Sequence, residues 1–378
     1  MDASYDVPPP GELAFLPTRR VVWGPGSIAR LDELLGTLSR SRVLLLTSRS
    51  LSEEDKLVAR VREHCGDRYS GLFDTLPAHV PGEAVDAAMA AVRDAGADTL
   101  LCYGGGSVID AAKAVAARLS DGEGRRVTLI AVPTTLSGAE FADHFGVTDQ
   151  TGGVPVKRTV TREDVTPAVV ILDSQLTVAT PHWLWAGSAI KALDHAIEGL
   201  LCSPARPVLD ELARAGIRQL VTTLPKSCAS DSEESRQACQ LASWYCYFAP
   251  ASLTLGLSHR IGHILGGTYG VPHSFTSGIT LPAVVGVMAR TAPDRLALIT
   301  TALGGSSSAD PEADAAQASS LLTHFVASAG LPTRLREVNI QRADLETIAR
   351  LVQERYPAAV RQLDGTGRRL RALLESIW

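Results

Sequence analysis

Asp98-Thr99-Leu100-Leu101-Cys102-Tyr103-Gly104-Gly105-Gly106-Ser107 is an apolar run that breaks into three glycines and a serine, and Ile109 to Leu119 behind it has the texture of a helix. A strand that turns through glycines into a helix brings backbone close to a ligand and points free N–H groups and a positive dipole end at it. A tight turn without ligand uses the same residues, so the neighbourhood has to decide. Outward from this stretch, strand-like and helix-like segments alternate. Val43 to Thr47, Val127 to Val132 and Val169 to Leu172 are short apolar runs. Glu53 to His64 and Pro81 to Ala95 carry helical spacing. Such alternation predicts a parallel sheet covered on both faces, a Rossmann-like α/β domain over residues 1–173. Thr134-Thr135, with Ser137 close behind, follows the strand that ends at Pro133, and ligands of open α/β sheets bind at such strand ends. After Val43–Thr47 no Asp or Glu stands ready for an adenosine ribose. Ser48 and Arg49 stand there instead. Arg49 either meets a 2′-phosphate or lies solvated, and tolerance of NADPH is expected.

From about Ser174 the texture changes to long Ala/Leu-rich periodic segments: Trp183–Leu201, Pro207–Leu224, Ser235–Ala249, Ser258–Leu265, Leu281–Arg290, Ala313–Ser328 and Asp344–Glu354. They predict an all-α domain over residues 174–378. Length fits two domains: 378 residues exceed one compact core. Hydrophobic residues make up 45%, charged residues 20%, and the net charge is −5 without a basic block, which argues against nucleic acid as partner. No apolar run reaches about 18 residues, so no membrane span is expected. The first residues, MDASYDVPPPGELAF, lack the basic and then apolar order of a signal peptide. Six cysteines without a CxxC pair read as reduced thiols, in keeping with a cytoplasmic protein.

Four of the nine histidines form a pattern. His259 and His263 lie four apart on one helix face, His273 follows directly behind Pro272, and His195 sits on an earlier helix. HxxxH with two further histidines is the spacing of a metal site, whereas a lone histidine is more often a hydrogen-bonded core residue. One turn before His195, however, the facing position is Lys191. An ammonium is no ligand and repels a cation. Asp194 is offset by about 100° around the helix from His195, a poor replacement. Glu198 either reaches the site or serves as a cap or salt bridge. The pattern reads as a metal site disarmed with its histidines kept. No metal is expected, and Lys191, His195, His259, His263 and His273 are the catalytic candidates.

The order strand–GGGS–helix, then Pro133-Thr134-Thr135-Leu136-Ser137-Gly138-Ala139-Glu140, then helix-borne His195, then HRIGHILGGTYGVPH (259–273), resembles the iron-type (group III) alcohol dehydrogenase superfamily over nearly the whole chain. The resemblance implies the dehydroquinate synthase-like architecture and an active site in a cleft between its two domains. It implies that Gly104, Gly105, Gly106, Ser107 and Asp110 border cofactor phosphates, and that Thr134, Thr135 and Ser137 border the rest of an NAD or NADP molecule. In metal-dependent members an Asp and three His hold the ion. Here the Asp position is Lys191, the His positions are His195, His259 and His273, and His263 is a proton-relay candidate. His79-Val80-Pro81, Lys157-Arg158-Thr159, HAIEGL (195–200) and HILGGTYGVPH (263–273) followed by Leu281-Pro282 are most similar to the maleylacetate reductase branch. That branch carries Asn at the Asp position, works without metal, and reduces the C=C bond of maleylacetate to give 3-oxoadipate. This chain departs from it at Lys191, and at Leu136-Ser137, where a Tyr-Ala pair is usual.

The function expected is a metal-independent NAD(P)-dependent oxidoreductase acting on a small carbonyl, enone or carboxylate-bearing substrate, as a homodimer or larger homo-oligomer. Lys191 then stabilises negative charge, acts as a base or forms a Schiff base, or else is structural, in a salt bridge with Asp194 at i+3 and facing away, and His263 or a neighbour delivers the proton. Lys157 and Arg158 are open as partners of cofactor or substrate. Three alternatives stay open: a repurposed site for redox-neutral chemistry such as dehydration, cyclisation or decarboxylation, a metal-dependent alcohol dehydrogenase on three His ligands, and a non-catalytic paralogue.

Overall fold

Apolar runs of four to six residues form the sheet because each is buried on both faces, which only a parallel arrangement under helices provides. The structure, a computed structural model, describes residues 11–77, 80–149, 156–230, 232–308, 310–361, 363 and 368–378. The chain runs β1 (Arg20–Trp23), α1 (Leu31–Thr37), β2 (Val43–Leu46), α2 (Arg49–Ser52), α3 (Asp55–Glu63), β3 (Tyr69–Phe73), α4 (Gly82–Asp94), β4 (Thr99–Gly104), α5 (Gly106–Glu123) and β5 (Thr128–Pro133). A hairpin, β6 (His144–Asp149) and β7 (Val156–Thr161), precedes β8 (Val169–Leu172). Helices follow: α6 (His182–Cys202), α7 (Pro207–Ala229), α8 (Glu233–Cys246), α9 (Leu257–Tyr269), α10 (His273–Gly286), α11 (Pro293–Ala302), α12 (Pro311–Ser328), α13 (Asp344–Arg355), α14 (Pro357–Arg361) and α15 (Arg368–Ser376). The architecture expected from the alternation and the helical run is the one observed.

The six-stranded sheet has the order β1-β8-β5-β4-β2-β3 with every pairing parallel. The inner strands β2, β4 and β8 are buried at every position. The edge strands β1 and β3 are mixed in burial, which is why RVVW and YSGLF give weak strand signals. The fully buried Asp173, just past β8, fixes the turn after β1. Its carboxylate accepts from the amides of Gly26 (2.9 Å), Ile28 (3.0 Å) and Gln175 (3.1 Å).

Three helix boundaries differ from the sequence reading. α7 runs through Pro225 to Ala229 rather than stopping at Leu224. α9 runs through Gly266-Gly267 to Tyr269 rather than stopping at Leu265, because Gly266 is needed for close packing: a Cβ there would lie 2.7 Å from the His273 ring. α10 begins at His273, eight residues before the expected Leu281.

The chain divides into two compact units that interleave in sequence. One comprises Leu16–Trp185 and Lys226–Leu241; the other comprises the segment ending at Phe15, Ala186–Pro225 and Ala242–Trp378. Polar contacts tie residues 226–241 to the sheet unit. Trp185 Nε1 donates to Ser227 Oγ (3.0 Å), the Gly24 amide donates to Gln237 Oε1 (3.1 Å), and buried Arg236 donates to the Thr177 carbonyl (3.1 Å) with its guanidinium over the Trp185 ring. In the helical unit α10 packs against both α9 and α12, and α13 packs on α9 and α15. All six cysteines are free thiols. Among the described residues no helix is long and apolar enough to cross a membrane.

Within the sheet unit, Lys113 of α5 has no solvent exposure. Its ammonium donates to the carbonyls of Ala139 (2.6 Å), Ala142 (2.7 Å) and His144 (3.2 Å). Burial pulls its pKa below the usual lysine range, and Asp110, Glu140 and Asp143 work against that pull. Lys113 thereby fastens the segment after β5 to the helix that starts at the glycine stretch. Lys113→Met leaves those carbonyls without their donor. We expect a loss of about 2–4 kcal/mol and a fall in Tm of roughly 5–10 °C, measured by thermal denaturation; an unchanged Tm contradicts this role.

Candidate functional site

Ser48, the glycine stretch and Thr134-Thr135 follow the carboxyl ends of β2, β4 and β5, which are neighbours in the sheet. Gly104 is the last residue of β4, and its carbonyl accepts from the Thr134 amide (3.0 Å). Gly105 precedes α5, whose first turn holds Gly106 and Ser107. A Cβ on Gly105 would lie 2.9 Å from the Thr135 methyl, and one on Gly106 would lie 3.1 Å from Ser137 Oγ. Glycine is therefore required here by close approach. The hydroxyls of Thr135 and Ser137 are 3.2 Å apart beside it. An 18-residue helix with its N-terminus at such a cradle suits a pyrophosphate. Asp110, one turn into α5, accepts from the Gly146 amide (3.2 Å), so its carboxylate holds the β6 strand. Glu140 is buried, and burial pushes its carboxyl up to about 7. Ser48 is half-buried before α2, and Arg49 is exposed as the first residue of that helix. No carboxylate stands at these two positions. The side chain of Lys157 and the whole of His79 lie outside the described residues, and Arg158 is exposed on β7.

The second cluster is built on α6 and α9 of the helical unit. Lys191, Asp194, His195 and Glu198 lie on α6 at the spacings that bring residues onto neighbouring faces. α6 is buried nearly all round, so the angular offset of Asp194 from His195 does not turn it to solvent; it turns it to α9. Asp194 Oδ2 lies 2.9 Å from His259 Nδ1 and 3.7 Å from Lys191 Nζ, and accepts from Ser277 Oγ of α10 (2.5 Å). The dismissal of Asp194 on helical geometry alone is thus corrected: it belongs to the cluster through a neighbouring helix. Glu198 caps α9, accepting from the amides of Gly256 (2.8 Å), Ser258 (2.6 Å) and His259 (3.3 Å), and its Oε2 also receives His259 Nδ1 (2.9 Å).

These contacts line up the imidazoles. His195 stacks between Tyr247 (centroids 3.9 Å) and His259 (4.8 Å). His263 follows His259 at 6.5 Å, and His273 follows His263 at 6.4 Å, both edge to face. All five catalytic candidates therefore belong to one cluster. Burial would lower the pKa of His259, but the Asp194 carboxylate outweighs it, and the net shift is upward. Burial would raise Asp194, but His259, Lys191 and the Ser277 hydroxyl hold it far below the usual carboxylate range. His263 goes the other way: burial, then the charges of Lys191, His259, His273 and Arg260, lower it to about 2. His263 is thus neutral at physiological pH. The Tyr356 hydroxyl and His263 Nδ1 lie 3.3 Å apart, within hydrogen-bond reach.

The fit of a metal ion can be tested on these atoms. A tetrahedral ion needs ligand atoms about 3.4 Å apart, from metal–nitrogen distances of about 2.0–2.1 Å. Among the described residues the one grouping of three ligand atoms within 4.8 Å is Asp194, Glu198 and His259; His195, His259 and His273 do not form one. In that grouping Glu198 is engaged by three backbone amides, and Asp194 by His259, Ser277 and the Lys191 ammonium. Among the described residues, Asp194 Oδ1 and His259 Nε2 are buried without a hydrogen-bond partner, while the Lys191 ammonium 3.7 Å from Asp194 opposes a cation there.

Tyr247, Tyr356 and Ser277 escaped the sequence reading. Ser277 had a signal: it lies four residues after His273 on the same helix. The two tyrosines carry no motif and approach only through tertiary packing.

Known proteins bear on both clusters. Residues 17–174 match the family model described as iron-containing alcohol dehydrogenase, and residues 185–365 match that of the Fe-containing alcohol dehydrogenase family, C-terminal. The maleylacetate reductase of Pseudomonas aeruginosa is 33% identical over 347 residues, 91% of this chain and 92% of the relative. The crystal structures of maleylacetate reductase from Agrobacterium tumefaciens and from Rhizobium sp. strain MTP-10005 are each 28% identical, with a TM-score of 0.84 over 98% of both chains.

Gly105→Ala places a methyl group against Thr135. We expect Kd for NADH and NADPH to rise roughly 10-fold or more, about 1.4 kcal/mol, by isothermal titration. Unchanged affinity for both would refute the cradle.

Proposed function

The chain belongs to the iron-containing alcohol dehydrogenase family and is an NAD(P)-dependent oxidoreductase, and from that premise we propose that it reduces a carboxylate-bearing enone or keto substrate of the maleylacetate kind without a metal ion. The observation that carries this reading is the Lys191 ammonium, 84% shielded from solvent and 3.7 Å from Asp194, on the helix turn where the family's ion-holding members place a carboxylate. A fixed positive charge in a water-poor site stabilises developing negative charge without reorganisation.

When bound, the reduced nicotinamide supplies the hydride. The chain's own residues supply the rest. The glycine cradle and the N-terminus of α5 hold the pyrophosphate, and Ser48 with Arg49 admits a 2′-phosphate, so NADPH is accepted beside NADH. Lys191 stabilises the oxyanion that forms as hydride reaches the substrate carbon. Asp194 keeps Lys191 in place and stays ionised. His263, neutral, relays a proton: one ring N–H goes to the carbon or oxygen left anionic while the other ring nitrogen takes the proton of the Tyr356 hydroxyl, 3.3 Å from Nδ1, and the tyrosinate is reprotonated from solvent. Hydride and proton together add the two hydrogens of one reduced double bond. The 33% identity to a maleylacetate reductase over most of both chains supports the substrate class, and Leu136-Ser137 are positions where the exact acid can differ.

Purified protein mixed with maleylacetate and NADPH or NADH should consume the dinucleotide steadily at 340 nm. Lys191→Gln should lower kcat by about 10²–10³-fold while leaving NADPH affinity unchanged. Absence of dinucleotide consumption with this and related oxo acids, or full activity in Lys191→Gln, contradicts the proposal.

A further inference from the structure

Arg260 lies on α9 three residues before His263, so the two share a face of the helix. Its guanidinium carbon sits 5.1 Å over the ring of Tyr356. That ring's hydroxyl is the group 3.3 Å from His263 Nδ1. One tyrosine therefore carries a cation on its face and steadies the proton donor with its hydroxyl. Arg260 is half-buried, and among the described residues no carboxylate lies within ion-pair distance of it. Two partly buried arginines of the same unit, Arg295 and Arg214, do have carboxylates, Asp210 at 2.6 Å and Glu211 at 2.5 Å. Stacking on an aromatic face leaves the planar fork of N–H donors at the edge, the geometry that receives a carboxylate through two parallel hydrogen bonds.

We infer that Arg260, held on Tyr356, takes a carboxylate of the substrate and so determines specificity for an oxo acid over a neutral carbonyl compound. The pairing sets the acid's reacting carbons against His263, since both residues meet at Tyr356. What happens to the bound acid rests on the reductase reading, but the binding does not. Arg260 is then the specificity-determining cation, and Lys191 the cation that serves the reacting oxygen. The two sit on different helices, which lets a substrate with a carboxylate remote from its carbonyl engage both.

The test uses maleate, an unreactive cis-butenedioate, and its dimethyl ester as probes, titrated calorimetrically into the protein saturated with NADP⁺. Wild type should bind maleate, and Arg260→Gln should weaken it roughly 10–100-fold, the worth of a charge-assisted bidentate pair. Arg260→Lys should recover part of that loss, because charge remains and the fork is lost. Dimethyl maleate should bind wild type and Arg260→Gln alike. Retained NADP⁺ affinity and circular dichroism in Arg260→Lys guard against a folding artefact in the glutamine variant. Equal maleate affinity in wild type and Arg260→Gln, or no maleate binding by wild type, overturns the inference. Loss of maleate binding in Arg260→Gln alongside a wild type that never oxidises NADPH would refute the reductase reading and leave Arg260 as an acid-binding residue.

Discussion

The geometry of the histidine cluster depends on one buried carboxylate. Asp194 has no solvent exposure, and an ionised group in that position persists only with close positive partners. It has them in Lys191 on its own helix and His259 on α9, with the Ser277 hydroxyl from α10 completing the contact. Three helices are thereby fixed to one oxygen atom. Glu198 repeats the device one turn on, taking three amides at the start of α9 and the same histidine. Once α9 is held at that height and rotation, His259 must stack on His195, His263 must face Tyr356, and Arg260 must lie over the same tyrosine.

The chain solves the problem of a buried lysine twice, in opposite ways. Lys113 is wholly enclosed and spends its ammonium on three carbonyls, which makes it a fastener. Lys191 keeps 16% of its side chain exposed and faces a carboxylate at 3.7 Å, with histidines that feel its charge. The first arrangement secures the segment that carries Thr134, Thr135 and Ser137 to the helix that begins at the glycines. The second leaves a partly exposed positive charge beside Asp194, the charge that the proposed function gives to substrate oxygen. On the proposed reading, holding a dinucleotide and polarising an acceptor thus fall to separately stabilised groups.

Much of this was legible in the amino-acid order. β4 with Gly104-Gly105-Gly106 and the inner strands declared themselves because burial on both faces demands continuous apolar residues. The edge strands β1 and β3, and the β6–β7 hairpin, did not, since half-exposed strands admit polar residues and glycine. Helical spacing paired His259 with His263 and set Lys191 one turn before His195, while His195 and His273 joined the set through the order of motifs along the chain. Asp194 was misjudged because a helical wheel knows one helix, whereas the partner of Asp194 lies on another. Tyr247 and Tyr356 were invisible for the same reason: each reaches its histidine from the end of a different helix, and no local pattern encodes that meeting. α9 and α10 were drawn too short because Gly266 and His273 make sense only as a pair, the missing Cβ of one leaving room for the ring of the other.

The central claim is that the Lys191 charge stands in place of an ion. It is tested most directly by metal content, measured by plasma mass spectrometry on catalytically active wild type and on Lys191→Asp after both are dialysed against equimolar Fe²⁺ and Zn²⁺. The account predicts no stoichiometric metal in the wild type, and a gain of bound metal in Lys191→Asp, where a carboxylate replaces the ammonium one turn before His195. One equivalent of iron or zinc in the wild type, lost together with activity on chelation, would contradict it.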